Sequence, residues 1–224
     1  ALRGILGSAA PLSESSIVRL KAKWQSEYES WKQRRLEEVE VVYLWVDGVY
    51  VKAGLEKDKA CLLVALAGLS DGRKEFLTIE TGVRESTQSW SAMLRKLKER
   101  GLSSPKLVIG DGHLGIWAGL RNIYPEAKEQ RCWNHRLVNI LDRVQKKDLD
   151  LASSLLKKIP YADTLKLAER LKGEFQSWAR QKGYVEAAGL LDVDWDRMTA
   201  FYQFPKSHWK HLRTTNPIES VFSS

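Results

Sequence analysis

Apolar residues recur along this chain first at helical spacing, then in short unbroken runs, then at helical spacing again. From Ser13 onward Ile17, Leu20 and Trp24 fall three and four apart, and Trp24, Tyr28 and Trp31 continue the stripe. This predicts a helix capped by Ser13 with Ser16 and extending as far as Leu36. Ahead of it, residues 1–7 read as a helix end and 9–12 as a turn. A turn followed by a helix carrying Arg19, Lys21 and Lys23 suits a helix-turn-helix, and equally a plain helical connector. From Val41 the pattern is that of three strands: a run at 41–46 trailed by a short stretch at 50–52, then runs at 60–67 and 75–80. The last two are joined by Ser70-Asp71-Gly72-Arg73 as an antiparallel hairpin. Ser86 then caps a helix with Trp90, Met93, Leu94 and Leu97 facing inward and an end at Gly101. A strand at 107–109, a helix at 114–123 and a strand at 127–131 complete the order βββαβαβ.

After Trp133 the pattern is helical, at 137–144, 149–159, 164–182 and 195–201, punctuated by Pro160, Gly173, Gly183 and Gly189. A last helix starts near Thr215 and carries Glu219. The expected organisation is a helical segment over 1–38, the first part of an α/β core over 39–136, an all-helical insertion over 137–212, and the start of a final core helix over 213–224.

Three acids stand at structurally loaded positions. Asp47 ends the run Val41-Val42-Tyr43-Leu44-Trp45-Val46, Asp111 ends Lys106-Leu107-Val108-Ile109-Gly110, and Glu219 lies in Thr215-Asn216-Pro217-Ile218-Glu219-Ser220. A carboxylate leaving a buried strand, followed at once by Gly48 or Gly112, reads as a turn or as a ligand facing a cleft. Two of them on the first and fourth strands of this order fit a ribonuclease-H-like mixed sheet, in which those strands are neighbours. Oxygen ligands of that kind suit Mg²⁺ or Mn²⁺, and two ions would serve both oxygens of an in-line phosphodiester displacement.

Charge supports a polyanionic partner. Thirty-six Lys and Arg against 28 Asp and Glu give a net +8, and neutralised phosphates release counterions. The two cysteines, Cys61 and Cys132, lie far apart, which argues against a disulfide framework and for a reducing cytoplasm. The longest apolar stretch, 60–69, is about half a membrane span, so a soluble protein with no membrane partner is expected. Arg121, Arg131, Arg136, Lys206, Lys210 and Arg213 read either as contacts to phosphates or, each taken singly, as solvated surface charges. Trp178, Trp195 and Trp209, among nine tryptophans, are candidates for stacking on a base or for core packing.

The segments Tyr43-Leu44-Trp45-Val46-Asp47-Gly48-Val49-Tyr50, Leu107-Val108-Ile109-Gly110-Asp111-Gly112-His113, Arg131-Cys132-Trp133-Asn134-His135 and Thr215-Asn216-Pro217-Ile218-Glu219-Ser220 together resemble the Mutator-like transposases of bacterial insertion sequences. The resemblance implies a DDE transposase with Asp47, Asp111 and Glu219 as catalytic, metal-binding acids. It implies cleavage of double-stranded DNA at transposon ends, transfer of the freed 3′-hydroxyl to target DNA, and a homodimer or larger assembly on DNA in the bacterial cytoplasm. Members are normally longer at both ends, so this chain is expected to be part of such an enzyme. A silent DNA-binding derivative or a nuclease of the same fold are the alternatives. Cys132 and His135 match a family signature beside the site. Read as zinc ligands they would need two more, and Cys61, His113, His208 and His211 stand at no familiar zinc spacing. His113, two residues past Asp111, is a candidate to approach the scissile phosphate or to cap the following helix.

Overall fold

A computed structural model describes residues 13–52, 59–82, 85–112 and 114–222. Two compact units divide at Arg35 and Leu36. The first holds helix α1 (Glu14–Gln33), whose Ser13 hydroxyl accepts the Ser16 N–H at 3.2 Å. The helix stops at Gln33, short of the expected Leu36, because Arg34 is extended at φ −57°, ψ 145°. The expected helix end over 1–7 and turn over 9–12 lie outside the described residues.

The second unit is built on five strands. These are β1 (Val41–Lys52), β2 (Lys59–Leu69), β3 (Lys74–Gly82), β4 (Leu107–Gly110) and β5 (Lys128–Arg131), in the order β3-β2-β1-β4-β5. The first three form an antiparallel meander, while β4 and β5 run parallel to β1. This is the ribonuclease-H-like arrangement expected, with β1 in the centre. The runs read as 41–46 and 50–52 are one strand: Asp47 and Gly48 pair with Val64 and Leu63 inside the ladder, so Asp47-Gly48 is no turn.

Alternation decides which residues go where. Tyr43, Trp45, Val64, Leu66, Leu107 and Ile109 face one core, and Leu44, Val46, Leu63, Ala65 and Val108 face the other. Both faces are covered, which is why the strands read as continuous apolar runs. The second core is closed by α2 (Thr87–Glu99) and α3 (Leu114–Ile123). Helix α2 buries the expected Trp90, Met93, Leu94 and Leu97. Ser86 accepts the Ser89 N–H at 3.1 Å, and Gly101 at φ 96° ends the helix.

That ending is a Schellman motif, with Gly101 N–H bonded to Lys98 O at 2.9 Å and Leu102 N–H to Leu97 O at 3.0 Å. A methyl group at Gly101 would meet both the left-handed backbone and the Glu37 side chain. Gly101→Ala is therefore expected to destabilise the protein by about 1–2 kcal/mol, read as a lower urea midpoint with unchanged m-value.

The first core is closed by the helices that follow β5. These are α4 (Trp133–Leu141), α5 (Leu149–Lys158), α6 (Leu165–Gln181), α7 (Val185–Leu190), α8 (Trp195–Thr199), α9 (Trp209–Leu212) and α10 (Asn216–Phe222). Trp133, Ile140, Leu156, Phe175, Phe201, Trp209 and Ile218 meet Tyr43 and Trp45 in a single cluster. Trp45 donates its indole N–H to His211 O at 3.0 Å, and Tyr43 Oη lies 2.8 Å from His208 Nδ1. Helix α4 starts at Trp133, four residues earlier than its pattern suggested.

Every residue of β5, last in the sheet, is bonded through its side chain to segment 194–203. Lys128 donates to Gln203, Glu129 accepts from Arg197, and Arg131 donates to Asp194 at 2.8 Å. Gln130 donates to Met198 O at 3.1 Å and accepts the Phe201 N–H at 2.8 Å.

Candidate active site

Strand alternation sends Asp47 to the same face as Tyr43 and Trp45, toward α10, which packs on β1 and β2. Parallel pairing of Tyr43 with Leu107, Leu44 with Val108 and Trp45 with Ile109 sets the register. Carried two residues on, it brings Asp47 abreast of Asp111, just past the end of β4. Gly112 has φ 95°, and a side chain there would run into the Arg131 guanidinium. Glycine is required for the chain to turn beside that arginine.

The third acid arrives through a set of contacts between the starts of α4 and α10. Cys132 N–H bonds to Gly110 O at 2.7 Å, which fixes the start of α4 to β4, and Trp133 N–H bonds to Arg213 O at 2.8 Å. Thr215 N–H donates to Cys132 Sγ at 3.3 Å, its hydroxyl donates to Glu219 Oε1 at 2.7 Å, and Asn134 Nδ2 donates to Asn216 Oδ1 at 2.7 Å. Glu219 is thereby held beside Cys132 and His135. His135 Nδ1 stands 3.7 Å from Asp111 Oδ1.

Burial dominates the electrostatics. Asp47 is only 8 % exposed, and desolvation pushes its carboxyl up to about 7, with Glu219 and Glu85 adding to the shift. His135 and the Gly48 N–H, 2.9 Å from Oδ1, act against it. The His135 imidazole is pushed up to about 9, first by its interaction with Cys132 and then by Asp111 and Asp47, against the effect of burial. A buried carboxyl facing further carboxyl groups is an environment that favours an added cation.

Glu85 is the member that no motif announces. Its side chain lies over Gly48, where any Cβ would collide with it. The glycine after Asp47 admits a fourth acid instead of making a turn.

The sequence profile described as "Transposase, Mutator family" matches residues 4–224. The chain belongs to the Mutator family of transposases. It is 44 % identical over its whole length to the transposase for insertion sequence element IS6120 of Mycolicibacterium smegmatis, spanning 69 % of that protein. It is 38 % identical to the transposase for IST2 of Acidithiobacillus ferrooxidans, again over its whole length and 76 % of the relative. Among solved structures, the HTLV-2 integrase catalytic core domain in complex with magnesium, in its trimeric form, covers 50 % of the chain at 18 % identity and TM-score 0.32. At that overlap the fold assignment rests on strand order and pairing, not on the likeness.

Within this transposase chain the expected DNA-facing residues divide. Arg121, Lys206 and Lys210 are exposed, Arg121 paired with Glu129 at 3.3 Å and Lys206 with Asp163 at 2.7 Å. Arg213 is half-buried, its guanidinium 4.8 Å from the Tyr161 ring centre and 5.3 Å from that of Phe201. Arg131 is committed to Asp194.

Two expectations are corrected. Arg136 is buried and donates to Val193 O at 2.8 Å and Asp194 at 3.2 Å, so its charge is spent inside the fold. Trp209 is buried against Phe201 and Tyr202 with its indole N–H on Phe204 O at 2.8 Å, which makes it core and not a stacking platform. Trp178 and Trp195 are half-buried, against Phe175 and Tyr184 and against Trp133. His113 lies outside the described residues. No helix among the described residues is long and apolar enough to cross a membrane.

Proposed function

We propose that Asp47, Asp111 and Glu219 are the catalytic acids of a DDE transposase that cleaves double-stranded DNA at transposon ends and joins the freed 3′-hydroxyl to target DNA. The observation that carries this reading is the desolvated Asp47 carboxyl, raised to about 7 among other acids at the end of the central strand. The donors are carboxylate oxygens, which fits Mg²⁺ or Mn²⁺. Asp47 on the central strand would hold the metal together with Asp111 and Glu219, two ions being what an in-line displacement calls for. When bound, the ions supply an activated water or hydroxyl nucleophile and charge neutralisation at the leaving oxygen.

The chain's own residues do the rest. Thr215 holds Glu219 through its hydroxyl, so the third acid is oriented before metal arrives. His135, protonated at neutral pH and 3.7 Å from Asp111, would donate to a non-bridging phosphate oxygen of DNA bound beside that acid, a role its positive charge supports. Exposed Lys206 and Lys210 supply positive charge on the approach to α10, and the assembly on paired ends is a homodimer or larger. Family membership and the net charge of +8 support DNA as the partner.

The test is strand cleavage of DNA carrying the element's ends in Mg²⁺ or Mn²⁺. Asp111→Ala is expected to lower the rate by roughly 1,000-fold or more, since it removes a group that acts in the transition state, while gel-shift affinity stays within about threefold. Cleavage at the wild-type rate by Asp111→Ala sinks the proposal.

A further inference from the structure

Cys132 Sγ, a ring nitrogen of His135 and a carboxylate oxygen of Glu219 lie within 4.8 Å of one another. Among the described residues this is the one set of three or more His, Cys, Asp and Glu side chains so close together. It is not the oxygen-only set that magnesium takes. A thiolate, an imidazole and a carboxylate form a borderline-soft donor set of the kind that zinc selects.

Two further features point to an ion. Thr215 serves two of the three donors at once, giving its N–H to Cys132 Sγ at 3.3 Å and its hydroxyl to Glu219 Oε1 at 2.7 Å. Outer partners of this type orient metal ligands and survive coordination, because the sulfur and the carboxylate keep lone pairs for the ion. The His135 ring already interacts with Cys132, while its buried Nδ1 atom has no hydrogen-bond partner, the Asp111 Oδ1 atom standing 3.7 Å away. A buried ring nitrogen without a partner is costly unless something fills the gap.

We propose that Cys132, His135 and Glu219 form a zinc site beside the catalytic acids, with the fourth position taken by water or by Asp111. Binding releases the Cys132 thiol proton and the His135 ring proton to solvent. The thiolate and carboxylate then balance the dication. The binding stands on this geometry alone. Its consequence rests on the catalytic reading: zinc captures Glu219 away from the magnesium ligands, so micromolar zinc silences cleavage in millimolar magnesium.

The spacing of the chain concealed the set, because the third ligand arrives 84 residues after the second.

The experiment uses Co²⁺ as a spectroscopic stand-in. The wild-type complex is expected to show tetrahedral visible bands and a thiolate-to-cobalt charge-transfer band, both displaced by one equivalent of Zn²⁺. Cys132→Ser should lose the charge-transfer band and weaken zinc binding by about 100-fold or more, and His135→Gln should weaken it comparably. Cys61→Ser, altering the other cysteine, should keep the band. Circular dichroism establishes the fold of each variant, and His135→Gln carries the test if Cys132→Ser does not fold. Absence of the charge-transfer band in the wild type, or zinc affinity unchanged in the folded variants, overturns the site. Asp47→Asn separates the two proposals, for it should keep the cobalt bands while losing cleavage. If it cleaves normally, the catalytic reading fails and the zinc site stands.

Discussion

Asp47→Asn is expected to abolish metal-dependent cleavage and, in the same protein, to raise the melting temperature measured in chelator at pH 8. An aspartate in the unfolded chain ionises near its ordinary value, whereas the buried Asp47 carboxyl holds its proton up to about 7. A folded-state value raised in this way contributes stability that is fully present below the unfolded value. That stability drains away as pH rises to about 7, because the folded state must then carry a desolvated anion. The shift sets a ceiling of about 4 kcal/mol, and relaxation of the site leaves about 2–4 kcal/mol.

For a chain of this size that is roughly 5–10 °C. Asparagine keeps the shape and removes the charge. His135, held up to about 9, loses its contribution in the same direction at higher pH, so the variant flattens the lower part of the curve only. Magnesium should stabilise the wild type at pH 8 by mass action and leave the variant unmoved. A melting temperature for Asp47→Asn below the wild type at pH 8 contradicts the account.

The second large effect is expected at Asp194. This residue takes φ 65° and accepts from Arg131 at 2.8 Å and Arg136 at 3.2 Å, with Arg197 as a third donor. Burial works to raise its carboxyl, and the arginines overcome that and hold it below the ordinary range. Arg136 is itself pushed down to about 10, first by burial and then by Arg131, so it depends on this counter-charge. Asp194→Ala leaves three guanidinium groups facing one another with their common acceptor gone. A loss of about 3–5 kcal/mol is expected, most of it from stranding the buried Arg136.

Asp194→Asn keeps an acceptor oxygen and tolerates the left-handed backbone, and should cost about half as much. Urea unfolding measures both, and a loss below about 1 kcal/mol for Asp194→Ala contradicts the assignment.

What was readable in the chain follows from whether a local cause decides each feature. Helix α2 is set by the Ser86 hydroxyl, four apolar residues at helical spacing and Gly101, all within sixteen residues, and it forms where its pattern places it. Sheet order followed from strand count and from acids on the first and fourth runs. The features that were misread have distant causes. Asp47-Gly48 looks like a turn because the reason for the glycine, the Glu85 side chain, lies 37 residues away. Arg136 carries the same charge as Lys210, and only the tertiary partner Asp194 distinguishes a buried cation from an exposed one. Helix α7 has six residues, too few to show a period. Of the site, Asp47, Asp111 and Glu219 stood out by position, and Cys132 and His135 by resemblance, while Glu85 emerges only where its side chain lies over Gly48, and the aligning role of Thr215 only where the starts of α4 and α10 meet.

The lacing of β5 to segment 194–203 has a consequence for what happens when this chain is cut or half-made. A terminal strand of a sheet offers unpaired amide and carbonyl groups to any extended peptide that passes. Here Asp194, Arg197, Met198, Phe201 and Gln203 lie along that border and engage all four of its side chains. A polypeptide ending before Asp194, whether from proteolysis or during synthesis, would present the border bare beside the apolar face that holds Tyr43 and Trp45. Such a species is expected to add strands from its own copies and precipitate, which makes the distal helices the protein's internal guard against self-association.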